Sequence, residues 1–279
     1  MILDDFRLNG KVAIVTGGGR GIGATIAEAF GEIGASVVCA ARTRSQVDDV
    51  AGRIRAQGQE AFAVDCDITS SEGVARLIGE TVARYGKIDV LINNAGGGGL
   101  AGGHGPTAAI TEEQMISAFR LNFLAAVSVS RAAIPHMKEA PGTIVNISSG
   151  FARVANIGSL LYGCAKAALE QATRMMAMEF APGVRINAIR VGAVQSENMK
   201  ANLLAVYPGI GEKLAAWTPV GRLGVTRDIA LATIYLASPA SGYVTGKILD
   251  VEGGMVVERS VMEIIARSER LQRAVMPTA

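Results

Sequence analysis

Short runs rich in β-branched residues recur along the chain at 11–15, 36–40, 61–64, 87–92, 142–147, 184–189 and 247–251. Their length and β-branched content predict strands. Between them, apolar residues repeat at helical spacing over 22–33, 45–57, 71–85, 112–136, 160–180 and 227–236. Seven strands interleaved with helices predict an α/β fold: one doubly wound, seven-stranded parallel sheet with helices on both faces. No linker or composition break divides residues 1–279, so they read as a single domain. Residues 255–279 read as a C-terminal helical extension, in which Val257, Val261, Ile264, Ile265, Leu271 and Val275 form an approximate stripe. That pattern fits a helix over a neighbouring subunit's active site, a helix packed on its own domain, or a frayed tail.

Composition narrows the function. About half of the residues are apolar (49%), enough for a large core, and the net charge is only +2, with no run of like charges. This gives no footprint for nucleic acid or an anionic membrane and favours a small-molecule partner. The N-terminus lacks a basic-then-apolar leader, and no apolar stretch is long enough to span a bilayer, so a cytoplasmic protein is expected. Cys39, Cys66 and Cys164 are an odd number without C-x-x-C spacing, so no disulfide framework or metal site is expected. All three read as reduced, mostly core residues.

Residues 15–23 read Val-Thr-Gly-Gly-Gly-Arg-Gly-Ile-Gly, directly after the first predicted strand and opening the first helix. Glycines there let the backbone turn tightly and approach a pyrophosphate, whose charge suits the free N–H groups of the helix start. This is the Rossmann-type reading. An ordinary glycine-rich turn is the alternative in a chain with 34 glycines.

Thr16, Gly17, Gly21 and Gly23 match Thr-Gly-x-x-x-Gly-x-Gly, residues 93–96 read Asn-Asn-Ala-Gly, and Tyr162 and Lys166 match Tyr-x-x-x-Lys. In this order the three motifs resemble the short-chain dehydrogenase/reductase family, and they span most of the chain. The resemblance implies hydride transfer between a nicotinamide cofactor and a carbonyl or alcohol. It places the cofactor against Gly17, Arg20, Gly21, Ile22, Gly23, Arg42, Asp67, Ile68, Asn94, Ala95, Gly96, Tyr162, Lys166, Gly192, Val194 and Ser196. Asp67 matches the residue that contacts the adenine amino group. With the runs Cys-Asp-Ile-Thr-Ser (66–70) and Asn-Asn-Ala-Gly-Gly-Gly-Gly (93–99), the chain resembles bacterial 7α-hydroxysteroid dehydrogenases, and 3-oxoacyl carrier protein reductases are also similar.

The acid–base pair also follows from the residues themselves. Tyr162 and Lys166 lie one turn apart on a predicted helix face. A free tyrosine titrates at about 10, too high for a base near neutrality. An ammonium at about 4 Å, with an effective dielectric near 20, contributes about 4 kcal/mol and is expected to lower the phenol's pKa. The surrounding helix is apolar on nearly every side, so a charged Lys166 there is costly unless paired. Tyr–Lys pairs at this spacing also occur on solvated helices, which is the bland alternative.

Ser148 and Ser149 end the fifth strand and point to opposite faces. The family's substrate-orienting serine lies thirteen residues before the tyrosine, which selects Ser149; a strand-capping serine is the alternative. Asn122, in Arg-Leu-Asn-Phe, matches the fourth catalytic residue, which holds a water for proton relay. Its alternative is a buried asparagine satisfying a backbone group.

Cofactor choice turns on Cys-Ala-Ala-Arg-Thr-Arg at 39–44. Ala41 stands where NAD enzymes place an acid for the ribose 2′-hydroxyl, and Arg42 follows. Arg42 and Arg20 suit a 2′-phosphate, so NADP(H) is favoured, with NAD(H) possible if both arginines are solvated.

The chain departs from the family pattern in places. Val191-Gly192 replaces the usual Pro-Gly, although Val194-Gln195-Ser196 still matches the segment that binds the carboxamide. A glycine-rich insertion occupies 97–106; His104 within it reads as solvated, and His136 as structural. Residues 193–225 form the expected lid, whose stretch 199–217 is rich in Leu and Ala and holds Tyr207 and Trp217. An apolar lid points to a bulky hydrophobic substrate such as a hydroxysteroid, or else to residues that merely cover the core. Small-ketone reduction and a non-catalytic dinucleotide-binding protein are the competing readings. Apolar faces on 112–136 and 160–180 exceed what one sheet covers, which predicts a homo-oligomer, with the family's tetramer expected.

Overall fold

The computed structural model describes residues 1–97, 106–137 and 141–255. The extension expected beyond Met255, His104 and most of the glycine-rich insertion lie outside the described residues. All seven expected strands form: β1 (Val12–Thr16), β2 (Ser36–Ala41), β3 (Ala61–Asp65), β4 (Val90–Asn93), β5 (Gly142–Ser149), β6 (Val184–Val191) and β7 (Ile248–Val251). They pair in parallel in the order β3-β2-β1-β4-β5-β6-β7. The chain reverses its winding between β1 and β4, the position where parallel sheets open a crevice at their carboxyl edge.

Helices cover both faces. Helix α1 (Gly21–Glu32) and α2 (Arg44–Ala56) share one core with Ala13, Val15, Val37 and Cys39. Helix α3 (Ser71–Tyr85) lies in the opposite core, with Ile14, Val38 and Leu91. Successive residues of β1 and β2 thus enter different cores, which is why these strands are apolar except at Thr16 and Ser36.

The single helix expected over 112–136 is a correction. The structure divides it into α4 (Glu112–Phe119), a π-helical segment (Arg120–Leu124), α5 (Ala125–Ala133) and a 3-10 turn (Ile134–His136). The Ala125 N–H reaches back five residues to the Arg120 carbonyl, and in the widened turn Asn122 Nδ2 donates to the Ala118 carbonyl at 3.1 Å. Single π-turns of this kind are common at functional sites.

Helix α6 (Leu160–Glu179) joins α5 on the second face. After β6 come a single turn α7 (Glu197–Met199), a π-helical segment (Lys200–Leu204) and α8 (Ile210–Trp217); α9 (Thr226–Ala237) returns to the first face. Among the described residues no helix is long and apolar enough to cross a membrane. Cys39 and Cys66 are buried, which pushes their thiols up to about 12 and about 11, whereas Cys164 is exposed rather than part of the core.

A buried polar chain fixes β4 and β5 against α5 and α6. Asn93 Nδ2 donates to Asn146 Oδ1 at 2.8 Å and Ser130 Oγ at 2.9 Å, and Asn146 Nδ2 donates to Thr173 Oγ1 at 2.9 Å. Asn146→Val should remove one of the two bonds made by Asn93 Nδ2 and the donor to Thr173 Oγ1, which still keep Ser130 and the Leu169 carbonyl, at about 1–3 kcal/mol in all. Denaturant unfolding measures this; a variant as stable as the parent contradicts it.

Candidate active site

The glycine turn at the end of β1 is built by close approach. Gly17 and Gly21 have φ of 65° and 56°, in the left-handed region that favours glycine. A Cβ at Gly23 would fall 2.2 Å from the Gly17 carbonyl oxygen and 2.5 Å from Asn94 Nδ2. Thr16 ties this turn to β4: its hydroxyl donates to the Ile92 carbonyl at 3.1 Å and accepts from the Asn94 and Ala95 N–H groups at 3.0 and 3.1 Å. Asn94 Nδ2 completes the brace by donating to the Thr16 carbonyl at 3.0 Å. No side chain caps the start of α1 after Arg20, and Ile22 is packed against the first core. A narrow backbone cradle beside an uncapped helix start fits a pyrophosphate.

Asn122 and Lys166 meet at Gly96, and Tyr162 and Ser149 connect to them through Lys166. A Cβ at Gly96 would meet Asn122 Oδ1 at 2.8 Å and Lys166 Nζ at 3.2 Å. Asn122 is fully buried; its Oδ1 accepts the Gly97 N–H at 2.9 Å, and its Nδ2 donates to the Gly97 carbonyl at 3.2 Å. Lys166 Nζ donates to the Ile147 carbonyl at 2.8 Å and lies 5.9 Å from the centre of the Tyr162 ring. Tyr162 and Ser149 are hydrogen-bonded through their side chains. Ser149 Oγ also accepts the Phe151 N–H at 3.3 Å, and the Phe151 ring meets Tyr162 edge-on. Ser148 turns to the other side and donates to Glu170 Oε1 at 2.8 Å.

The direction of the tyrosine shift corrects the expectation. Burial raises the Tyr162 phenol, only partly offset by its bond to Ser149, and burial pushes the Lys166 ammonium down to about 8. The lysine is anchored on a backbone carbonyl of β5, and desolvation exceeds the pair attraction that a fixed distance in a medium dielectric predicts.

Beyond β2 and β3, Arg42, Asp65, Cys66, Asp67, Glu72, Gly73 and Arg76 line a shallow cavity of about 430 Å³. Arg44 and Arg76 are held by Asp65, whereas Arg42 and Arg20 form no ion pair among the described residues. Asp67 accepts from the Thr69 N–H and hydroxyl at 2.9 and 2.7 Å, which hold its carboxyl below the usual range. Ile68 is buried beside it in the second core.

The segment after β6 closes over the same crevice. A Cβ at Gly192 would lie 2.7 Å from Glu252 Cα. Val194 is buried and bridges to Gly224, while Ser196 caps α7 and its Cβ lies 4.0 Å from where one on Gly21 would stand. Part of the lid packs on itself: Ile210, Leu214 and Leu223 form a small separate core with Leu203, Leu204 and Tyr207 around it. Trp217 and Val220 are exposed. Sequence reading passes over Glu170, although it continues the spacing of Tyr162 and Lys166 by one further turn.

A family model described as enoyl-(acyl carrier protein) reductase matches residues 17–256. The 7α-hydroxysteroid dehydrogenase of Escherichia coli is 38% identical over 257 residues, which span 91% of this chain and 98% of the relative. A solved 7α-hydroxysteroid dehydrogenase in complex with NADH and 7-oxo glycochenodeoxycholic acid matches with a TM-score of 0.85 and 37% identity, covering 90% of this chain and 96% of its own. A gluconate 5-dehydrogenase from Burkholderia cenocepacia, in complex with NADP and tartrate, matches with a TM-score of 0.85 and 32% identity, over 93% of this chain and all (100%) of its own. With these matches, the parallel sheet order and the three motifs in place, the chain belongs to the short-chain dehydrogenase/reductase family, oxidoreductases of the alcohol–ketone couple.

Proposed function

We propose that the protein uses NADP(H) to interconvert a secondary alcohol and a ketone on a bulky hydrophobic substrate such as a hydroxysteroid. The observation that carries this reading is that Asn122 and Lys166 meet at Gly96, with Tyr162 and Ser149 connected to them through Lys166. Gly17, Arg20, Gly21, Ile22 and Gly23 would hold the pyrophosphate, Asp67 and Ile68 the adenine end, and Gly192, Val194 and Ser196 the carboxamide end, with Asn94, Ala95 and Gly96 between. When bound, the cofactor supplies or accepts the hydride. Ser149 Oγ holds the substrate oxygen and Tyr162 gives it a proton in reduction, or takes one in oxidation. Burial keeps the phenol protonated at neutral pH, which suits the donor role. Lys166 places positive charge beside the phenolate that donation leaves, and Asn122 orients water for its reprotonation.

Arg42 favours the 2′-phosphate, because no carboxylate ends β2 and Arg42 stands in the cavity beside Asp67. The two similar structures hold NADH in one case and NADP in the other, so the choice rests on this chain's own residues. A hydroxysteroid is supported by the relatives and by the exposed Trp217 and Val220 of the lid. Exposed Met115, Ile116, Leu124, Met175 and Met178 on α4, α6 and the π-turn support a homo-oligomer.

Hydroxysteroids, 3-oxoacyl thioesters and cyclic ketones, each assayed with both cofactors, should give the highest kcat/KM for a hydroxysteroid with the phosphorylated cofactor. Arg42→Ala should cut that cofactor preference about ten- to a hundredfold, the loss of one charge-assisted bond. A parent preference for NADH, or a preference that survives Arg42→Ala, contradicts the assignment.

Burial of Lys166 also predicts a pH dependence. The group titrates at about 8 when folded and 10.5 when free, so the cost of burying its charge is fully present below about pH 8 and is relieved as pH rises toward 10.5. Across that window the parent should gain stability relative to Lys166→Met. Parallel stability profiles for the two proteins contradict it.

A further inference from the structure

We infer that a bracket of ion pairs centred on Arg190 positions Ser149, making Glu170 and Arg190 positioning residues for the reaction proposed above. Ser149 opens a 3-10 turn (Gly150–Ala152), and both flanks of that turn are tied to one guanidinium through a carboxylate. On the strand side, Ser148 donates to Glu170 on α6. On the far side, Arg153 Nη1 lies 3.6 Å from Asp250 Oδ2; Arg153 is exposed, so this outer tie is the weaker. Arg190 joins the two acids: its Nε and Nη2 donate to Glu170 at 3.0 and 2.7 Å, and its Nη1 donates to Asp250. Strand register sets Ser148, Arg190 and Asp250 side by side on β5, β6 and β7.

Stability alone does not account for this arrangement. Glu170 and Arg190 are 3% and 8% exposed, and stripping water from both offsets much of their attraction. Apolar side chains of similar volume hold such a site at least as well. What they lack is direction: a planar guanidinium engages two acids at once and fixes a helix against three strands. The direction matters because Arg190 immediately precedes Val191-Gly192, where no proline ring stiffens the backbone. The bracketed turn also touches the acid itself. The Phe151 carbonyl approaches α6 so closely that a Cβ on Gly163 would lie 2.8 Å from it, and the Phe151 ring stands 6.2 Å from that of Tyr162. A misplacement of about 1 Å at a reacting centre costs about a hundredfold in rate.

Two variants separate positioning from packing. Arg190→Lys keeps the charge but cannot bridge both acids; Glu170→Met with Arg190→Met removes both charges and keeps apolar volume. Each is compared with the parent in thermal midpoint, NADPH affinity, kcat and hydrogen exchange of the Phe151 amide, which donates to Ser149. The bracket predicts kcat lower by about ten- to a hundredfold, NADPH affinity within about twofold, and faster Phe151 exchange in both variants. A purely structural role would lower the midpoint and leave kcat and Phe151 exchange unchanged. That result in Arg190→Lys overturns the inference, even if the double variant does not fold. Exchange needs no turnover: a parent inactive on every alcohol and ketone would refute the functional reading, and Phe151 exchange would still decide the bracket.

Discussion

Lys166 carries an ammonium into a region that water does not reach, and the rest of the site is arranged around that charge. It is 3% exposed and is held by the Ile147 carbonyl of β5. The same desolvation acts on its neighbour with the opposite sign, lowering the lysine to about 8 and raising the Tyr162 phenol. Near neutrality the lysine stays charged and the tyrosine stays protonated. In the proposed reaction this makes Tyr162 a resting acid with a cation ready for the phenolate that proton donation creates.

The fold supplies the surroundings in which such a charge can persist. Helix α6 brings Tyr162, Lys166 and Glu170 to the sheet from one face, and β5 presents Ile147, Ser148 and Ser149 to them in sequence. Gly96 is pinched between Asn122 and Lys166, since a Cβ there would meet Asn122 Oδ1 at 2.8 Å and Lys166 Nζ at 3.2 Å. Asn122 reaches that point from within the π-turn. Thr16 and Asn94 lock the glycine turn to the edge of β4, so the phosphate cradle and the proton-transfer groups share one rigid border.

Features set by local spacing were legible in the sequence. Every strand appeared within a few residues of its β-branched run. The glycine turn, Asn-Asn-Ala-Gly and Tyr-x-x-x-Lys were legible too, since each sits at a strand end or on a single helix face. What escaped depends on contacts distant along the chain. The break in 112–136 lies at Asn122, which bonds to Gly97, 25 residues earlier. The upward shift of Tyr162 depends on how much protein surrounds it, which a helical spacing does not contain. Arg190 and Asp250 look like ordinary strand-end charges until the register sets them beside Ser148. For the lid the sequence left a substrate wall and a cover for the core both open, and part of its apolar character serves its own small core.

The central claim is that Tyr162 performs proton transfer and leaves the dinucleotide cradle to other residues. Tyr162→Phe removes only the hydroxyl, so NADPH affinity by titration calorimetry and turnover of a ketone by the same preparation separate the two roles. The account predicts affinity within about threefold of the parent and a kcat lower by at least about a hundredfold, the range of acid–base catalysis. Turnover that survives in Tyr162→Phe would contradict it.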